Sequence, residues 1–518
     1  MRKFFTVSLA LAAMAGLTPV TSAKDANFDL VILNGRVIDP ETGLDAPRNV
    51  GVRDGKIAAV TKKRINGARN IDADGLVVAP GFIDLHAHGQ SIPAGRVQAL
   101  DGVTTALELE AGVLPISDFY DAAAKEGRAI NYGASVGWAH ARISAFVGEE
   151  PRSDIYWFEQ HMSDPEWQYE LANSEQLDAI MAQVQKGLDE GGLGIGVLLG
   201  YAPSSGRKEY YALHELAARK GVPTFTHARF LSNAEPDSSF EGYEEMIAVS
   251  ASTGAHMHIC HLNSISLRDI EIIRPMIENA QANGVNITVE AYPYGAGATS
   301  IGAAMFRGDN WQARMGDIKK SDFTVDGTPL SDAEFDRLQA EAPGTSIVVH
   351  FIHPEERPED AKLLSQSVLF PGGAIASDGG DWALNGEMVA ADAWPLPAEA
   401  ESHPRSAGTF SKFLRVYVRE TQSIGLSDAI AKMSLIPAQI LEDSVPQMRG
   451  KGRLQEGADA DIIVFDPATV SDRATFAEPA QTSQGFAYVI VGGTPLVSDG
   501  ILDTTVLPGK PIRRTVKQ

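Results

Sequence analysis

The 518-residue chain is long enough for at least two structural units, and 44% hydrophobic with 21% charged residues is an ordinary globular composition. Its formal net charge of −23, from 44 basic and 67 acidic residues, argues against nucleic acid or an anionic membrane surface as a partner. A single cysteine, Cys260, excludes an intramolecular disulfide, and we expect it to be a buried structural thiol.

The first residues have the layout of a secretory signal peptide. Two basic residues precede an apolar stretch from Phe4 to Leu17, and small residues at 21–23 offer a cleavage site. That apolar stretch is too short to span a bilayer. We therefore expect residues 1–23 to be removed, and the mature protein to be periplasmic or secreted with no stable membrane anchor.

Both ends of the remaining chain have the pattern of short strands joined by turns. Asn34-Gly35 and Asp54-Gly55 are dipeptides typical of tight hairpin turns, and each lies among apolar runs. Comparable apolar runs recur between Ala460 and Asp499. Two β-rich ends around a long middle predict one small β-sandwich, built from residues 24–80 and 444–518.

The middle of the chain, residues 81–443, alternates apolar runs with amphipathic helical segments. Eight strands are predicted at Ala79–Leu85, Thr104–Leu109, Asn131–Val136, Gly194–Leu199, Thr224–His227, His256–His261, Asn286–Ala291 and Ala374–Asp378. This alternation predicts an α/β fold, a (β/α)₈ TIM-like barrel whose catalytic groups lie at the carboxyl ends of its strands. Residues 308–367 are too many for a loop between strands seven and eight, and we expect a subdomain or lid there.

The first barrel strand ends in a His-x-His motif. Because successive strand side chains alternate between faces, His86 and His88 project on the same side, with Asp84 behind them. Two imidazoles placed in this way can bind one divalent cation. The motif therefore predicts a metal site at the end of this strand.

Ligand-type side chains also stand where other predicted strands end. They are Glu108 and Glu110 at strand two, His227 at strand five, His261 at strand six and Asp378 at strand eight. The carboxyl ends of barrel strands share one rim, so these groups predict a single cation-binding cluster.

Two positions in this cluster have alternatives. Glu108 and Glu110 share a face, so alternation cannot choose between them, and Glu108 is the second candidate. At strand six, His258 and His261 lie on opposite faces. We choose His261 because it falls at the strand end, and His258 is the alternative.

The order of these groups resembles the amidohydrolase superfamily, over nearly the whole mature chain. Within it, the chain most resembles N-acyl-D-amino-acid deacylases, of the D-aminoacylase and D-glutamate deacylase-like kind, through Val136–Arg142, Glu290–Tyr294 and His403–Phe410. The resemblance implies a metal-dependent hydrolase of linear amides that acts on N-acyl-D-amino acids, with N-acyl-D-glutamate as one candidate substrate. It also supports His261 over His258, and it implies one or two Zn²⁺ ions or another divalent cation.

The chain departs from the family pattern at three places. Many superfamily members carry a metal-bridging lysine on strand four, but Gly194–Tyr201 contains none. The D-aminoacylase group has a cysteine at the end of strand two, where this chain has Glu110-Ala111. A carboxylate is a competent bridging ligand, so Glu110 is the expected substitute. The lysine that commonly follows the strand-six histidines is also missing, at Leu262-Asn263.

The residues suggest how such an enzyme would work. A cation held by histidine and carboxylate lowers the pKa of bound water and polarises the substrate carbonyl. Asp378 would accept the proton of the attacking water and pass it to the leaving amine. A small amide substrate with a carboxylate also needs guanidinium or hydroxyl partners. The candidates are Arg142, Tyr201, Arg229, Tyr294 and Arg405.

Two other functions fit parts of the same pattern. Hydrolysis of a cyclic amide or a dipeptide would use a similar site, although the missing strand-four lysine disfavours a cyclic substrate. A catalytically silent periplasmic binding protein could reuse the fold without turnover. The sequence leaves the acyl group, the stereochemistry, the number of cations and the oligomeric state open.

Overall fold

The computed structural model describes residues 27–162 and 164–516. The predicted signal peptide, residues 1–23, lies outside the described residues. Within the described ranges, no helix combines the length and the apolarity needed to cross a membrane.

Eight parallel strands form the predicted barrel, numbered here β1 to β8 in chain order. They are Phe82–Asp84, Val103–Val113, Asn131–Gly137, Ile195–Leu198, Thr224–His227, Met257–Ile259, Ile287–Ala291 and Ala374–Ile375. Each strand pairs with the next in chain order. Most positions are buried because helices cover the outer face of a parallel barrel. Beyond β8, the Asp378 N–H donates to the His86 carbonyl at 2.7 Å, and Ala87 bridges Gly379, which brings the two edge strands together.

Helices separate the barrel strands, as the amphipathic segments predict. Those between β1 and β7 are Ile92–Leu100, Ile116–Glu126, Trp138–Val147, Ile155–Gln160, Pro165–Tyr169, Ser174–Asp189, Arg207–Lys220, Ser239–Thr253, Leu262–Ser266 and Ile270–Ala282. After β8 come a short hairpin, Ala383–Leu384 with Glu387–Met388, and the helices Arg405–Phe413, Leu426–Met433 and Leu435–Leu441.

The two chain ends share one nine-stranded sheet with its own apolar core. Its strands are Phe28–Asp39, Leu44–Arg53, Lys56–Thr61, Gly67–Asp72 and Val77–Pro80 from the first end, and Ile462–Phe465, Phe486–Val491, Thr494–Ser498 and Ile501–Leu502 from the second. Antiparallel pairing of Val77–Pro80 with Ile462–Phe465 joins the ends. The prediction of a small β unit built from both ends is confirmed.

Asp54-Gly55 forms the predicted hairpin, whereas the prediction of a turn at Asn34-Gly35 is wrong. Arg53 pairs with Lys56 across Asp54-Gly55. Asn34-Gly35 instead lies inside the continuous strand Phe28–Asp39, where the register against Leu44–Arg53 shifts at a β-bulge. Asn34 has a φ of 63°. Bulges and tight turns both select residues that tolerate this left-handed backbone, so the dipeptide alone could not separate them.

Between β7 and β8 the chain builds a separate four-stranded sheet. Its strands, in spatial order, are Ala296–Ser300, Ser346–His350, Phe323–Val325 and Thr328–Pro329, and Trp311–Arg314 and Asp332–Glu341 are its helices. The sheet begins at Ala296, before the predicted insertion boundary of 308. The strand Ala296–Ser300 consists of small residues without a hydrophobic alternation, so its sequence does not predict a strand. Within the predicted range, Pro358–Val368 instead packs against Ile270–Ala282 as a barrel helix.

Candidate metal centre

Glu110 lies on an irregular stretch of β2. The register of β2 against β3 shifts between Glu108 and Val113, so β2 carries extra residues there. Gly112 adopts a φ of 63° within this bulge. Bulges redirect the side chains they carry, which is why alternation along a regular strand could not separate Glu108 from Glu110.

The carboxylate of Glu110 is the point at which histidines from three strands meet. Its Oε1 lies 2.7 Å from His261 Nε2 and 3.0 Å from His227 Nδ1. Its Oε2 lies 3.1 Å from His86 Nε2. The Glu110 side chain is 5% exposed, so water contributes little to its solvation. These imidazoles are therefore its main polar partners.

His88 and Asp378 complete the cluster on the side of His86. The Nε2 atoms of the two histidines are 3.2 Å apart, and Asp378 Oδ1 lies 3.3 Å from each of them. The backbone of Asp378 has a φ of 53°, and that of His261 has a φ of 30°. Left-handed backbone in residues other than glycine costs on the order of 1–3 kcal/mol, and it commonly persists at functional sites.

The ligand atoms fall into two groups that share Glu110. One group is His86, His88, Glu110 and Asp378, and the other is Glu110, His227 and His261. In the first group, five of the six pairs of ligand atoms are 3.1 to 3.7 Å apart. Four ligands on a tetrahedral zinc ion, with bonds of about 2.0–2.1 Å, stand roughly 3.4 Å from one another. The first group is therefore spaced as the ligands of one divalent cation would be, and the second group offers three further ligand atoms that include Glu110.

The charges of the cluster also call for a cation. His86 has a carboxylate at both ring nitrogens, since Glu290 Oε1 lies 2.5 Å from its Nδ1. Burial lowers the pKa of His86, but Glu110, Asp378 and Glu290 outweigh burial and place its pKa well above the ordinary value. Without a metal, a proton on His86 supplies the positive charge that these acids require. A divalent cation would supply positive charge in place of that proton.

Arg405 and Tyr201 are the predicted substrate-binding residues that lie beside the cluster. Arg405 is buried, and its Nη1 lies 2.9 Å from Asp378 Oδ2. Burial raises the pKa of Asp378, but Arg405 and His86 outweigh burial and hold that pKa below its usual range. The ring of Tyr201 is 5.2 Å from that of His227, and its hydroxyl is 2.9 Å from Thr299 Oγ1.

The other three predicted substrate-binding residues have partners elsewhere. Arg142 donates to Glu209 and to the Trp167 carbonyl, both at 2.6 Å. Arg229 makes a two-point ion pair with Glu245, at 2.8 and 2.9 Å.

Tyr294 packs against His403 with its ring beneath Lys412. It follows Pro293, beyond the end of β7, so alternation no longer predicts its direction. The structure instead places Tyr292 near the cluster, with its ring under Arg405 at 4.7 Å and 6.4 Å from the ring of His261.

Two acids near the cluster had no role assigned from the sequence. Glu290 bonds to His86, and Asp84 accepts hydrogen bonds from the backbone of His86 and of Ser377. Asp84 thus connects β1 to the segment that carries Asp378. The signal for both was an acid inside an otherwise apolar strand. The alternative ligand candidates face away from the shared carboxylate, since Glu108 bonds to His88 Nδ1 and His258 to Glu290.

The barrel and its rim of histidines and carboxylates define a class, the (β/α)₈ hydrolases whose residues are suited to divalent cations. The chain belongs to the amidohydrolase family, whose family model matches residues 69–271 and 159–497. It is accordingly a hydrolase of carbon–nitrogen bonds.

Known proteins of similar sequence and structure cover almost the whole chain. N-acyl-D-glutamate deacylase from Alcaligenes xylosoxydans xylosoxydans is 28% identical over 530 residues, 94% of this chain and 97% of its own length. D-aminoacylase from the same organism is 26% identical over 510 residues, covering 90% and 94%. The crystal structure of N-acyl-D-glutamate deacylase from Bordetella bronchiseptica, complexed with zinc and a phosphonate inhibitor, has a TM-score of 0.72 at 24% identity, covering 94% and 99%.

Gly196 on β4 packs directly against the bulge that carries Glu110. A methyl group at this glycine would stand 2.7 Å from the Leu109 carbonyl oxygen and closer still to that of Glu110. We predict that Gly196→Ala destabilises the fold by about 1–3 kcal/mol, because backbone atoms cannot move aside cheaply, and that it weakens metal binding. Urea unfolding and zinc retention measure both effects. Gly344→Ala, which would meet no atom within 4 Å, should change neither. Equal behaviour of the two variants would contradict this account of the bulge.

Proposed function

We propose that the protein is a deacylase of N-acyl-D-amino acids that depends on a divalent cation, and that this cation is zinc. The observation that carries this proposal is the Glu110-centred cluster, because it joins two groups of ligand atoms at the barrel rim beside a buried arginine. The full-length similarity to N-acyl-D-glutamate deacylase and D-aminoacylase supports linear amides and D-amino acids as the substrates.

The residues of the cluster would hold two cations. His86, His88 and Asp378 would hold one, His227 and His261 the other, and Glu110 would contact both. Such cations supply Lewis acidity, which activates water and polarises the amide carbonyl.

Asp378 is suited to move the proton of the reaction. Its Oδ1 faces the two histidines and its Oδ2 faces Arg405, which lowers the pKa of Asp378 and keeps the carboxylate ionised. A carboxylate in this position can take a proton from the attacking water and deliver it to the leaving nitrogen. With this proton on its nitrogen, the amino acid leaves as a free amine.

Arg405 is the proposed contact for the substrate carboxylate. Its Nε has no hydrogen-bond partner among the described residues, although the side chain is 3% exposed. A guanidinium fork with an unused donor fits a carboxylate in two-point geometry. Asn263 lies near the place where the related deacylases commonly have a lysine. Its side chain accepts a hydrogen bond from the Tyr292 N–H and donates one to the Tyr294 carbonyl, so it is already engaged.

A paired substrate screen with metal analysis tests the proposed function. We predict bound zinc in the purified protein and release of free amino acid from N-acetyl-D-amino acids, glutamate included, in preference to their L-enantiomers. Removal of the metal by chelation should abolish the release, and added Zn²⁺ should restore it. A cyclic amide and a dipeptide are run in parallel.

The outcomes of the screen separate the candidate functions. Ring opening of the cyclic amide or cleavage of the dipeptide, without deacylation, would replace the proposal with the alternative hydrolase. Ligand binding without turnover of any amide would favour the binding protein. A folded protein without affinity for divalent cations would contradict the proposed chemistry altogether.

Asp378→Asn should separate proton transfer from metal retention. The amide cannot accept the proton, so we predict that turnover falls by about 10²- to 10⁴-fold. With Zn²⁺ in excess, the zinc content should stay near that of the wild type, because His86, His88 and Glu110 remain and only the affinity falls. Asp381→Asn is the control: this nearby acid accepts from the Ser91 N–H instead and should keep most of its turnover. Undiminished turnover in Asp378→Asn would remove Asp378 from this role.

We also propose that the enzyme acts outside the cytoplasm, on the strength of the signal-peptide pattern in residues 1–23. Expression of the full chain in a Gram-negative host tests this. We predict a periplasmic protein whose measured mass corresponds to a start just after Ala23. An uncleaved chain in the cytoplasmic fraction would contradict it.

A further inference from the structure

Each histidine of the His-x-His motif has a buried acid at the nitrogen remote from the shared cluster. His86 Nδ1 lies 2.5 Å from Glu290 Oε1, and His88 Nδ1 lies 2.8 Å from Glu108 Oε2. The opposite nitrogens, both Nε2, approach each other to 3.2 Å. Each ring is therefore held through its Nδ1 atom, while the two Nε2 atoms point toward the same place.

The chemistry of these contacts fixes where the proton sits on each ring. An ionised carboxylate only accepts hydrogen bonds, so the Nδ1 of each imidazole must carry the hydrogen. In the neutral ring, the lone pair is then on Nε2, the atom that faces the other ligands. Glu108 and Glu290 thereby select the tautomer that a cation at the cluster needs.

Both acids are themselves held in place. Glu290 Oε2 lies 3.1 Å from His258 Nε2, and His258 Nδ1 lies 2.8 Å from Thr288 Oγ1. Glu108 Oε1 accepts from the Gly112 N–H of the β2 bulge at 3.3 Å. Both acids are nearly inaccessible to solvent, at 1% exposed for Glu290 and 3% for Glu108. A carboxylate fixed at both ends can orient an imidazole with little freedom to rotate.

We propose that Glu108 and Glu290 are positioning residues, which orient His88 and His86 and so determine how tightly the cation shared with Asp378 is held. This inference rests on the proposed function and deepens it. It also gives β2 two acids with separate tasks: Glu110 would contact both cations, and Glu108 would hold a histidine.

One competing arrangement makes Glu290 a ligand instead. His86, Cys260 and Glu290 also bring ligand atoms close together, below the main cluster. Both carboxylate oxygens of Glu290 already have a histidine partner, His86 Nδ1 at 2.5 Å and His258 Nε2 at 3.1 Å, which disfavours Glu290 as a ligand. Cys260→Ala therefore serves as the matched control, since it removes this arrangement and leaves both histidine–acid contacts intact.

The test replaces each acid separately with Gln, which keeps an acceptor oxygen without the charge, and with Met, which keeps the volume without an acceptor. Zinc per chain is measured on the full-length protein, together with its loss to a chelator and the visible absorption of the Co²⁺-substituted protein. We expect the wild type to hold two zinc ions. Each Gln variant should bind one of them about 10- to 100-fold more weakly, with the Met variants weaker again. The second ion, at His227 and His261, should be retained.

The outcomes keep this inference distinct from the proposed function. If all variants hold both ions like the wild type, with unchanged Co²⁺ spectra and altered melting temperatures only, the acids are merely structural and the inference fails while the function stands. If the wild type binds no metal, both fail. If Cys260→Ala loses an ion as Glu290→Gln does, Glu290 is a ligand of a separate site. Because the two acids are replaced separately, a folding failure at one leaves the other as the test.

Discussion

The burial of the Glu110 carboxylate among imidazoles is the interaction on which the rest of the site depends. A carboxylate removed from water costs several kcal/mol unless charges and hydrogen bonds compensate for it. Here each oxygen faces histidine nitrogens, and further carboxylates lie behind and beside those rings. Among the described residues, the carboxylates of the cluster outnumber its one guanidinium group, that of Arg405, so protons on histidine or bound cations must balance the remaining charge. Metal binding and the stability of the barrel rim are thus expected to be coupled.

The barrel places these charges through a few local devices. Asp84 connects β1 to the segment after β8 by accepting from the Ser377 N–H at 2.9 Å. The bulge in β2 turns Glu110 inward, and the left-handed backbone of His261 and Asp378 directs two further ligands to the same point. The bulge and the left-handed residues are energetically unfavourable in themselves, and the large apolar core around the strands supplies the stability that compensates for them.

Much of the fold could be predicted from the sequence because its signals are local. The apolar runs locate all eight barrel strands, and the alternation of strands with helices indicates the barrel. The His-x-His motif indicates the site, since its spacing and strand periodicity agree. What the sequence could not supply is the backbone at irregular points. The bulge separates Glu108 from Glu110, Pro293 turns Tyr294 away, and Asn34 serves a bulge where a turn was expected.

The arginines show a different limit, because their partners come from distant segments. Arg142 and Arg229 have the same charge as Arg405, but each finds an acid more than ten residues away that removes it from the site. Only the tertiary structure shows which guanidinium group remains beside the cluster.

A crystal structure of the zinc-loaded protein, with anomalous data collected on both sides of the zinc absorption edge, tests the central claim most directly. We predict two anomalous peaks, one on each side of the Glu110 carboxylate: one beside His86 and His88, and the other beside His227 and His261. Peaks that lie away from Glu110, or the absence of any peak at the barrel rim, would contradict the central role of Glu110.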